Sequence, residues 1–276
     1  MKFSLMTYTV APQWPGGCQT LEEMGDLAVT LGFEALELSA GNLGERSAEE
    51  FGQICKDRDL AVSCINGGCT FTAQDDSEFQ QGLDQARYYV DMAVELACPV
   101  IMLIPGFAND VDDKPRAADR IADGLRQTIE YSAERGVFVT LEDFPSALAP
   151  YASIAEMRWM LENAPGLRLT FDNGNWMIGG DDPLTALQTL GSYVINAHLK
   201  DWEVNPDGQG MQLPNGTFIR GGKHGQGLID HKPILAELKA QGYGGYMAFE
   251  YEGPHDHCQA TREGIEYLRG LMAESG

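Results

Sequence analysis

The sequence predicts an α/β fold, a single-domain (β/α)₈ barrel that spans residues 1–276. Short β-rich runs alternate along the chain with amphipathic segments, and most runs are too uniformly apolar for a sheet with one face in water. A chain of 276 residues, 43% of them hydrophobic, can bury a large core. Eight strand–helix units fit a closed barrel, typically about 250 residues long, better than a doubly wound open sheet. No linker or second domain is indicated.

The predicted strands are the runs in which aliphatic, β-branched and aromatic residues concentrate. Glycines such as Gly32 and Gly136 lie in the turns that lead from a helical segment into the next strand, where a positive φ angle is often required. In chain order the strands are Phe3–Thr9, Ala35–Ser39, Ala61–Asn66, Val100–Ile104, Val137–Glu142, Leu167–Asp172, Tyr193–His198 and Tyr246–Tyr251.

The segments between the strands carry helix-start signals. A Ser or Thr followed three residues later by Glu or Gln is a capping box, in which the two side chains satisfy backbone N–H groups at the start of a helix. Asp182 precedes Pro183, which places a cap before a proline at the first helical position. The capping-box pairs are Thr20/Glu23, Ser47/Glu50, Ser77/Gln80 and Ser153/Glu156.

One long stretch, Trp202–Leu228, is predicted to be irregular. It carries seven glycines and lies between the seventh strand and the helix that follows it. A loop of that length in a compact domain is usually functional or disordered.

Charge and cysteine usage exclude several classes of function. The formal net charge of −22 argues against a nucleic-acid partner, because such binding depends on Lys and Arg that neutralise phosphates. The six cysteines show no paired metal spacing, which favours a reducing cytoplasm. The N-terminus resembles a first strand rather than a signal peptide, and no run approaches the ~18 apolar residues of a membrane span.

Four strand ends carry residues that can bind a metal. Active sites in such barrels lie at the C-terminal ends of the strands. The last four strands end in Glu142, Asp172, His198 and Glu250. Each carboxylate alone could be satisfied by backbone amides, but three neighbouring ones would repel strongly without a compensating cation. Together the four residues predict a site for one divalent ion.

The donor set indicates which ion to expect. Three carboxylates and one imidazole suit Mn²⁺, Mg²⁺ or Co²⁺ in an octahedron completed by water or substrate, better than a thiolate-rich zinc site. We expect Mn²⁺ first. No nucleotide cofactor is expected.

Five motifs in fixed order resemble the xylose isomerase-like TIM barrels along nearly the full chain. That superfamily includes sugar phosphate isomerases and epimerases, ketose 3-epimerases, inosose and 3-dehydroshikimate dehydratases, and apurinic endonucleases. The motifs are Leu141-Glu142-Asp143, Phe171–Asn175, Ala197–Asp201, Gly225–Asp230 and Phe249-Glu250.

The resemblance implies roles for individual residues. Glu142, Asp172, His198 and Glu250 match the family's single-metal ligands, and Glu142 and Glu250 also match the acid/base pair of its epimerases. One position departs from the pattern, because Asn175 stands where epimerases and several dehydratases often carry His. An amide can orient a substrate but cannot exchange a proton near neutral pH. The apurinic endonucleases fit poorly, since their trinuclear site needs further histidines and this chain has five in all.

Further residues are predicted to contact the substrate. Lys200 shares a strand face with His198, although an ion-pair role is equally compatible with its position. The glycine-rich loop brings Arg220 and His224 near the site, where they could bind a hydroxyl, a carboxylate or a phosphate. The complete set of predicted contacts is Lys200, Asn175, His224, Arg220, Asn66 and Glu37.

The expected activity is metal-assisted proton transfer at a carbon next to a carbonyl or hydroxyl of a small keto-sugar or polyol. Return of the proton to another face or carbon gives an epimerase or isomerase, which we expect first. Loss of water or a glycosyl group from the same intermediate gives a lyase or dehydratase, the main alternative. A binding module without catalysis is a further alternative. A homo-oligomer is possible.

Overall fold

Eight parallel strands close into one barrel, which confirms the predicted architecture. The structure, a computed structural model, describes residues 1–274. Neighbouring strands follow chain order around the barrel, and the last strand pairs with the first. The barrel strands are β1 (Lys2–Met6), β2 (Ala35–Ser39), β3 (Ala61–Gly68), β4 (Val100–Ile104), β5 (Phe138–Glu142), β6 (Arg168–Asp172), β7 (Val194–Leu199) and β11 (Tyr246–Phe249).

Helices follow the barrel strands, and four of the five predicted caps open a helix. Ser47 and Ser153 form complete capping boxes with the Glu three residues later, and Thr20 and Asp182 accept backbone N–H groups as N-caps. The α-helices are α1 (Leu21–Thr30), α2 (Ala48–Lys56), α3 (Asp76–Glu95), α4 (Lys114–Ala133), α5 (Ile154–Asn163), α6 (Asn175–Gly179), α7 (Pro183–Leu190), α8 (His231–Ala240) and α9 (His257–Glu274). Among the described residues, no helix combines the length and apolar character needed to cross a bilayer.

One predicted helix start is wrong. Helix α3 begins at Asp76 with Asp75 as its N-cap, two residues before the predicted cap Ser77. Asp75 Oδ1 accepts hydrogen bonds from the backbone N–H groups of Ser77 (2.8 Å) and Glu78 (3.2 Å). A carboxylate at this position satisfies unpaired donors and also interacts favourably with the helix dipole, which explains why Asp75 caps the helix in place of Ser77.

Two strands end earlier than predicted. The chain leaves β1 after Met6, and Tyr8–Val10 form a single 3₁₀ turn at the mouth of the barrel. Strand β11 ends at Phe249, so that Glu250 is the first residue beyond the strand.

The stretch Trp202–Leu228 is ordered rather than irregular, which corrects the prediction. It contains a small antiparallel sheet of β8 (Trp202–Val204), β9 (Met211–Gln212) and β10 (Phe218–Gly221), with β10 in the centre. The strands are two to four residues long and separated by Asn, Gly and Pro, so no hydrophobic periodicity revealed them.

Asp201 fixes the end of this stretch to the barrel. Its carboxylate accepts backbone N–H groups from Gly225 (3.0 Å), Gly227 (3.1 Å) and Ile229 (3.1 Å). The Gly-Gln-Gly motif therefore has a structural role here, because a Cβ on Gly227 would lie 2.2 Å from Asp201 Oδ1.

Strand alternation places the chemistry inside the barrel. Asn196 and His198 face the interior, where both contact Glu37, whereas Ala197 and Leu199 pack into the core between strands and helices. This is the arrangement that a period of two residues predicts for strand β7.

Candidate metal centre and active site

Four buried side chains converge at the C-terminal end of the barrel. Glu142, Asp172, His198 and Glu250 each offer one ligand atom, and these atoms all lie within 4.8 Å of one another. The residues come from β5, β6, β7 and the position just after β11, which are neighbours in the barrel. Each side chain is buried, so the structure brings together the four ligands that the strand ends predict.

His198 is oriented by carboxylates on both of its ring nitrogens. Nδ1 lies 2.5 Å from Glu142 Oε1 and 3.7 Å from Glu250 Oε2, so this nitrogen faces the cluster. Nε2 lies 2.6 Å from Glu37 Oε1. A carboxylate that accepts the N–H of one ring nitrogen fixes the tautomer and leaves the other nitrogen free to bind a metal. Glu37 therefore orients His198 so that Nδ1 faces the other candidate ligands.

The electrostatics of His198 depend on the same carboxylates. Burial alone lowers the pKa of His198, but the Glu37 and Glu142 carboxylates raise it well above its usual value. The cluster therefore favours a positive charge at this point. A metal ion bound at Nδ1 would compete with a proton for the nitrogen.

The residues present fit a hard divalent cation. Asp172 Oδ2 and Glu250 Oε2 are buried without a hydrogen-bond partner, whereas Asp172 Oδ1 accepts N–H groups from Gly174 (2.7 Å) and Asn175 (2.8 Å). Burial raises the pKa of Asp172 and raises that of Glu250 to about 8. Buried carboxylate oxygens without donors are costly, and oxygen-rich ligands with one imidazole are the set that Mg²⁺ or Mn²⁺ prefers.

Lys200 reaches the same cluster. Its Nζ lies 3.2 Å from Asp172 Oδ2, without hydrogen-bond geometry, 3.2 Å from Glu250 Oε1 and 3.6 Å from Glu252 Oε2. Burial lowers the pKa of Lys200, but these three carboxylates together raise it well above its usual value, so the group is an ammonium ion. Lys200 thus lies beside the predicted ligands, where it can contact a bound molecule.

Glu37 and Asn66, two of the predicted substrate contacts, are buried, with Glu37 next to His198 and Asn66 next to Glu37. Glu37 has no exposed surface, and its carboxylate accepts hydrogen bonds from Asn66 Nδ2 (2.9 Å) and Asn196 Nδ2 (3.2 Å) as well as from His198. Residues at inward positions can lie at different depths, and the sequence does not give the depth. The Glu37 carboxylate is occupied by His198, Asn66 and Asn196, and its contact with a substrate stays a prediction.

Of the other predicted contacts, Asn175 lies next to a candidate ligand, whereas His224 does not. Asn175 lies beside Asp172, and its Nδ2 donates to the Asp143 carbonyl at 2.9 Å, while its Oδ1 has no partner. His224 stacks on Phe249, on the side of the strand that faces the helices. Burial lowers the pKa of His224 to about 3. Its Nε2 donates to the Leu199 carbonyl at 2.8 Å, so His224 supports the end of β7.

Two residues at the mouth were not identified from the sequence. Tyr8 is half-buried, and burial together with the carboxylates of Glu252 and Glu250 raises the pKa of its phenol. Glu252 contacts Lys200, as described above. Strand alternation beyond Glu250 could have pointed to Glu252, because residues two apart share a face. Tyr8 lies in a 3₁₀ turn, for which no periodicity provides a signal.

We expect Glu37→Gln to weaken metal binding by about 10–100-fold, the range for residues that orient a ligand. The amide keeps the shape of the side chain but loses the charge that faces His198 Nε2. Calorimetric titration with Mn²⁺ measures this effect independently of any activity. Glu45→Gln is the matched control, because Glu45 is exposed in the loop after the same strand. Equal affinities of Glu37→Gln and wild type would contradict the orienting role.

Comparison with known proteins gives a match along most of the chain. The sequence profile described as xylose isomerase-like TIM barrel matches residues 26–271. L-ribulose-5-phosphate 3-epimerase UlaE of Escherichia coli is 23% identical over 281 aligned positions, which cover 95% of this chain and 93% of that protein. This curated relative is a sugar epimerase.

Solved structures share the same barrel. An L-ribulose 3-epimerase superposes with a TM-score of 0.79 at 16% identity, over 99% of this chain and 95% of that one. The probable 3-DHS dehydratase AsbF from Bacillus anthracis superposes with a TM-score of 0.78 at 18% identity, over 98% and 99%. At these identities the likeness concerns the fold alone, because one barrel supports many reactions.

Proposed function

Because the chain belongs to the xylose isomerase-like TIM barrel family, we propose that it is a divalent-metal-dependent sugar epimerase or isomerase that transfers a proton at a carbon next to a carbonyl. The observation that carries the proposal is the placement of two buried glutamates, Glu142 and Glu250, around the same imidazole nitrogen. Their strands, β5 and β11, are the two outer members of a set of four neighbours. The two carboxylates therefore reach the centre from the two ends of this run of strands.

Two separate carboxylates at one centre suit a reaction that inverts a carbon centre. One glutamate removes the proton from the carbon, and the other returns a proton to the opposite face. Glu142, Asp172, His198 and Glu250 hold the ion, and we propose Mn²⁺ because the donors are three carboxylates and one imidazole. When bound, the ion supplies electrostatic stabilisation of the negative charge that develops on the substrate oxygens.

The remaining polar groups orient the substrate. The Lys200 ammonium, held near Glu250, can donate a hydrogen bond to a substrate oxygen. Asn175 Oδ1 is buried and unpartnered, so it can accept from a substrate hydroxyl that reaches it. Tyr8 and Glu252 lie at the mouth and add hydrogen-bonding groups there. Burial of the ligands limits water around the reacting carbon.

Elimination from the same carbanion is a second candidate. Asn175 favours it, since the amide cannot serve as an additional acid or base and its Nδ2 is engaged by Asp143. Epimerisation remains the better proposal, because Glu142 and Glu250 already provide two separate proton-transfer groups at the centre. A lyase needs a leaving group at the next carbon in addition to the base.

Solvent exchange in D₂O distinguishes these reactions. Incubation of a panel of keto-sugars with metal-loaded protein should place deuterium at the carbon next to the carbonyl and convert the sugar to an epimer or isomer without other change in mass. Elimination would instead release water or an aglycone and produce ultraviolet absorbance from an unsaturated carbonyl. If no sugar of the panel shows either exchange or elimination although the metal site is filled, both candidate reactions are wrong.

A further inference from the structure

In the part of the chain that the structure describes, the Lys and Arg side chains of the loops at the mouth of the barrel are paired with carboxylates. Within the described residues, the loops that lead from each barrel strand to the next long helix contain four Lys or Arg side chains. Three of these four side chains form an ion pair at the rim: Arg46 with Glu22 at 2.5 Å, Arg220 with Glu203 at 2.7 Å and Lys223 with Glu263 at 2.8 Å.

Lys200, the fourth cation, lies deepest and has the most acidic surroundings. Three carboxylates, those of Asp172, Glu250 and Glu252, surround its Nζ at 3.2–3.6 Å. If Asp172 and Glu250 bind an ion, Glu252 still faces the ammonium group. Lys200 can therefore donate to a neutral hydroxyl or carbonyl, but its charge is already balanced.

The first turn of α4, beside the same rim, adds no unpaired cation. Lys114 Nζ lies 2.5 Å from Glu156 Oε1. Arg116 donates through Nε (2.5 Å) and Nη2 (2.7 Å) to Asp113, and through Nη1 to the Thr72 carbonyl at 3.0 Å. To bind a phosphate, the Arg116 guanidinium would have to give up its two hydrogen bonds to Asp113. These bonds use the same pair of N–H groups that would otherwise bind a phosphate.

We propose that the substrate is an uncharged sugar without a phosphate group, an inference that rests on the proposed sugar epimerase function. A phosphate monoester carries about −1.5 to −2 charges near neutral pH. Five carboxylates face Lys200 or the metal-ligand cluster, so a divalent ion and the Lys200 ammonium leave an excess of negative charge. They are Glu37, Glu142, Asp172, Glu250 and Glu252.

The net charge of the whole molecule also disfavours a phosphorylated substrate. The formal net charge of −22 repels a dianion on approach. Sugar hydroxyl groups, in contrast, can form hydrogen bonds with the donors and acceptors at the mouth, such as the Tyr8 phenol and the Glu252 carboxylate. The proposed substrate therefore differs from that of UlaE, whose name specifies a 5-phosphate.

Matched pairs of free and terminally phosphorylated ketoses test the proposal. We expect metal-loaded protein to exchange solvent deuterium into the free ketose with a kcat/KM at least about 100-fold above that for its phosphate ester, because like charges are juxtaposed only with the ester. An equal or higher kcat/KM for the ester overturns the proposal. If neither sugar exchanges, the proposed function fails, and calorimetry decides the inference separately: tighter binding of the free sugar supports it and tighter binding of the ester overturns it.

A charge-neutralising variant tests whether the pairing of Arg220 with Glu203 excludes a phosphate. Glu203→Gln unpairs Arg220 and should improve kcat/KM for the ester relative to the free sugar by about 10-fold. Glu266→Gln is the control, because Glu266 is exposed on α9 and has the same charge. If Glu203→Gln and Glu266→Gln leave the ratio equally unchanged, the pairing of Arg220 is not what excludes phosphate, and that part of the proposal is wrong.

Discussion

His198→Ala is expected to lose most of the bound divalent ion, with an affinity reduced by more than about 100-fold, beyond the effect expected for a residue that only orients a ligand. The substitution removes the imidazole whose Nδ1 faces Glu142 and Glu250, and it removes one of the partners of the Glu37 carboxylate. Asp172→Ala should have a similar effect, because Asp172 Oδ2 has no hydrogen-bond partner of its own. Metal analysis of the purified proteins, followed by Mn²⁺ titration, measures both effects.

His255→Ala is the matched control for the histidine. His255 is exposed in the loop after β11, and its side chain is not part of the cluster. The wild type and the control should both hold about one ion per chain. Full metal occupancy in His198→Ala and in Asp172→Ala would remove the assignment of the site.

Glu142→Gln and Glu250→Gln are expected to keep part of the metal affinity while they lose turnover by about 10²–10⁴-fold, the range for a positioned acid or base. An amide oxygen can still bind an ion, but it cannot carry a proton at neutral pH. The measurement combines metal content with the rate of epimer formation. Glu162→Gln is the control, because Glu162 is exposed on α5.

The two glutamine variants should also differ from each other. If each glutamate serves one face of the carbon, Glu142→Gln should still exchange deuterium into one epimer and Glu250→Gln into the other, with no interconversion in either. Exchange into both epimers by one variant, or wild-type turnover, would remove that glutamate from the proton-transfer role.

The barrel and its four candidate ligands could be predicted from the sequence because both depend on local patterns. Buried parallel strands read as short apolar runs, and the residue at the end of a run reaches the rim. Glu142, Asp172, His198 and Glu250 could therefore be selected without any knowledge of how the strands pair. The ion pairs that were the alternative for Lys200 are also present, since three carboxylates surround its Nζ.

Features that depend on contacts across the barrel could not be predicted. Glu37 was expected among the substrate contacts, but its position next to His198 Nε2 follows from barrel closure, which joins residues 161 positions apart. His224 was expected in the site because of its sequence neighbours, whereas the packing against Phe249 places it behind the strand. The small sheet within Trp202–Leu228 escaped prediction because its strands are too short to show a period.

The most direct test of metal-dependent proton transfer is to titrate metal-stripped protein with Mn²⁺ while deuterium incorporation from D₂O into an exchanging keto-sugar is followed. We predict little exchange without metal, a rise in proportion to added Mn²⁺, and a plateau at about one ion per chain, because the four ligands form one site. Exchange that persists unchanged after metal removal, or that keeps rising well beyond one equivalent, would contradict the account.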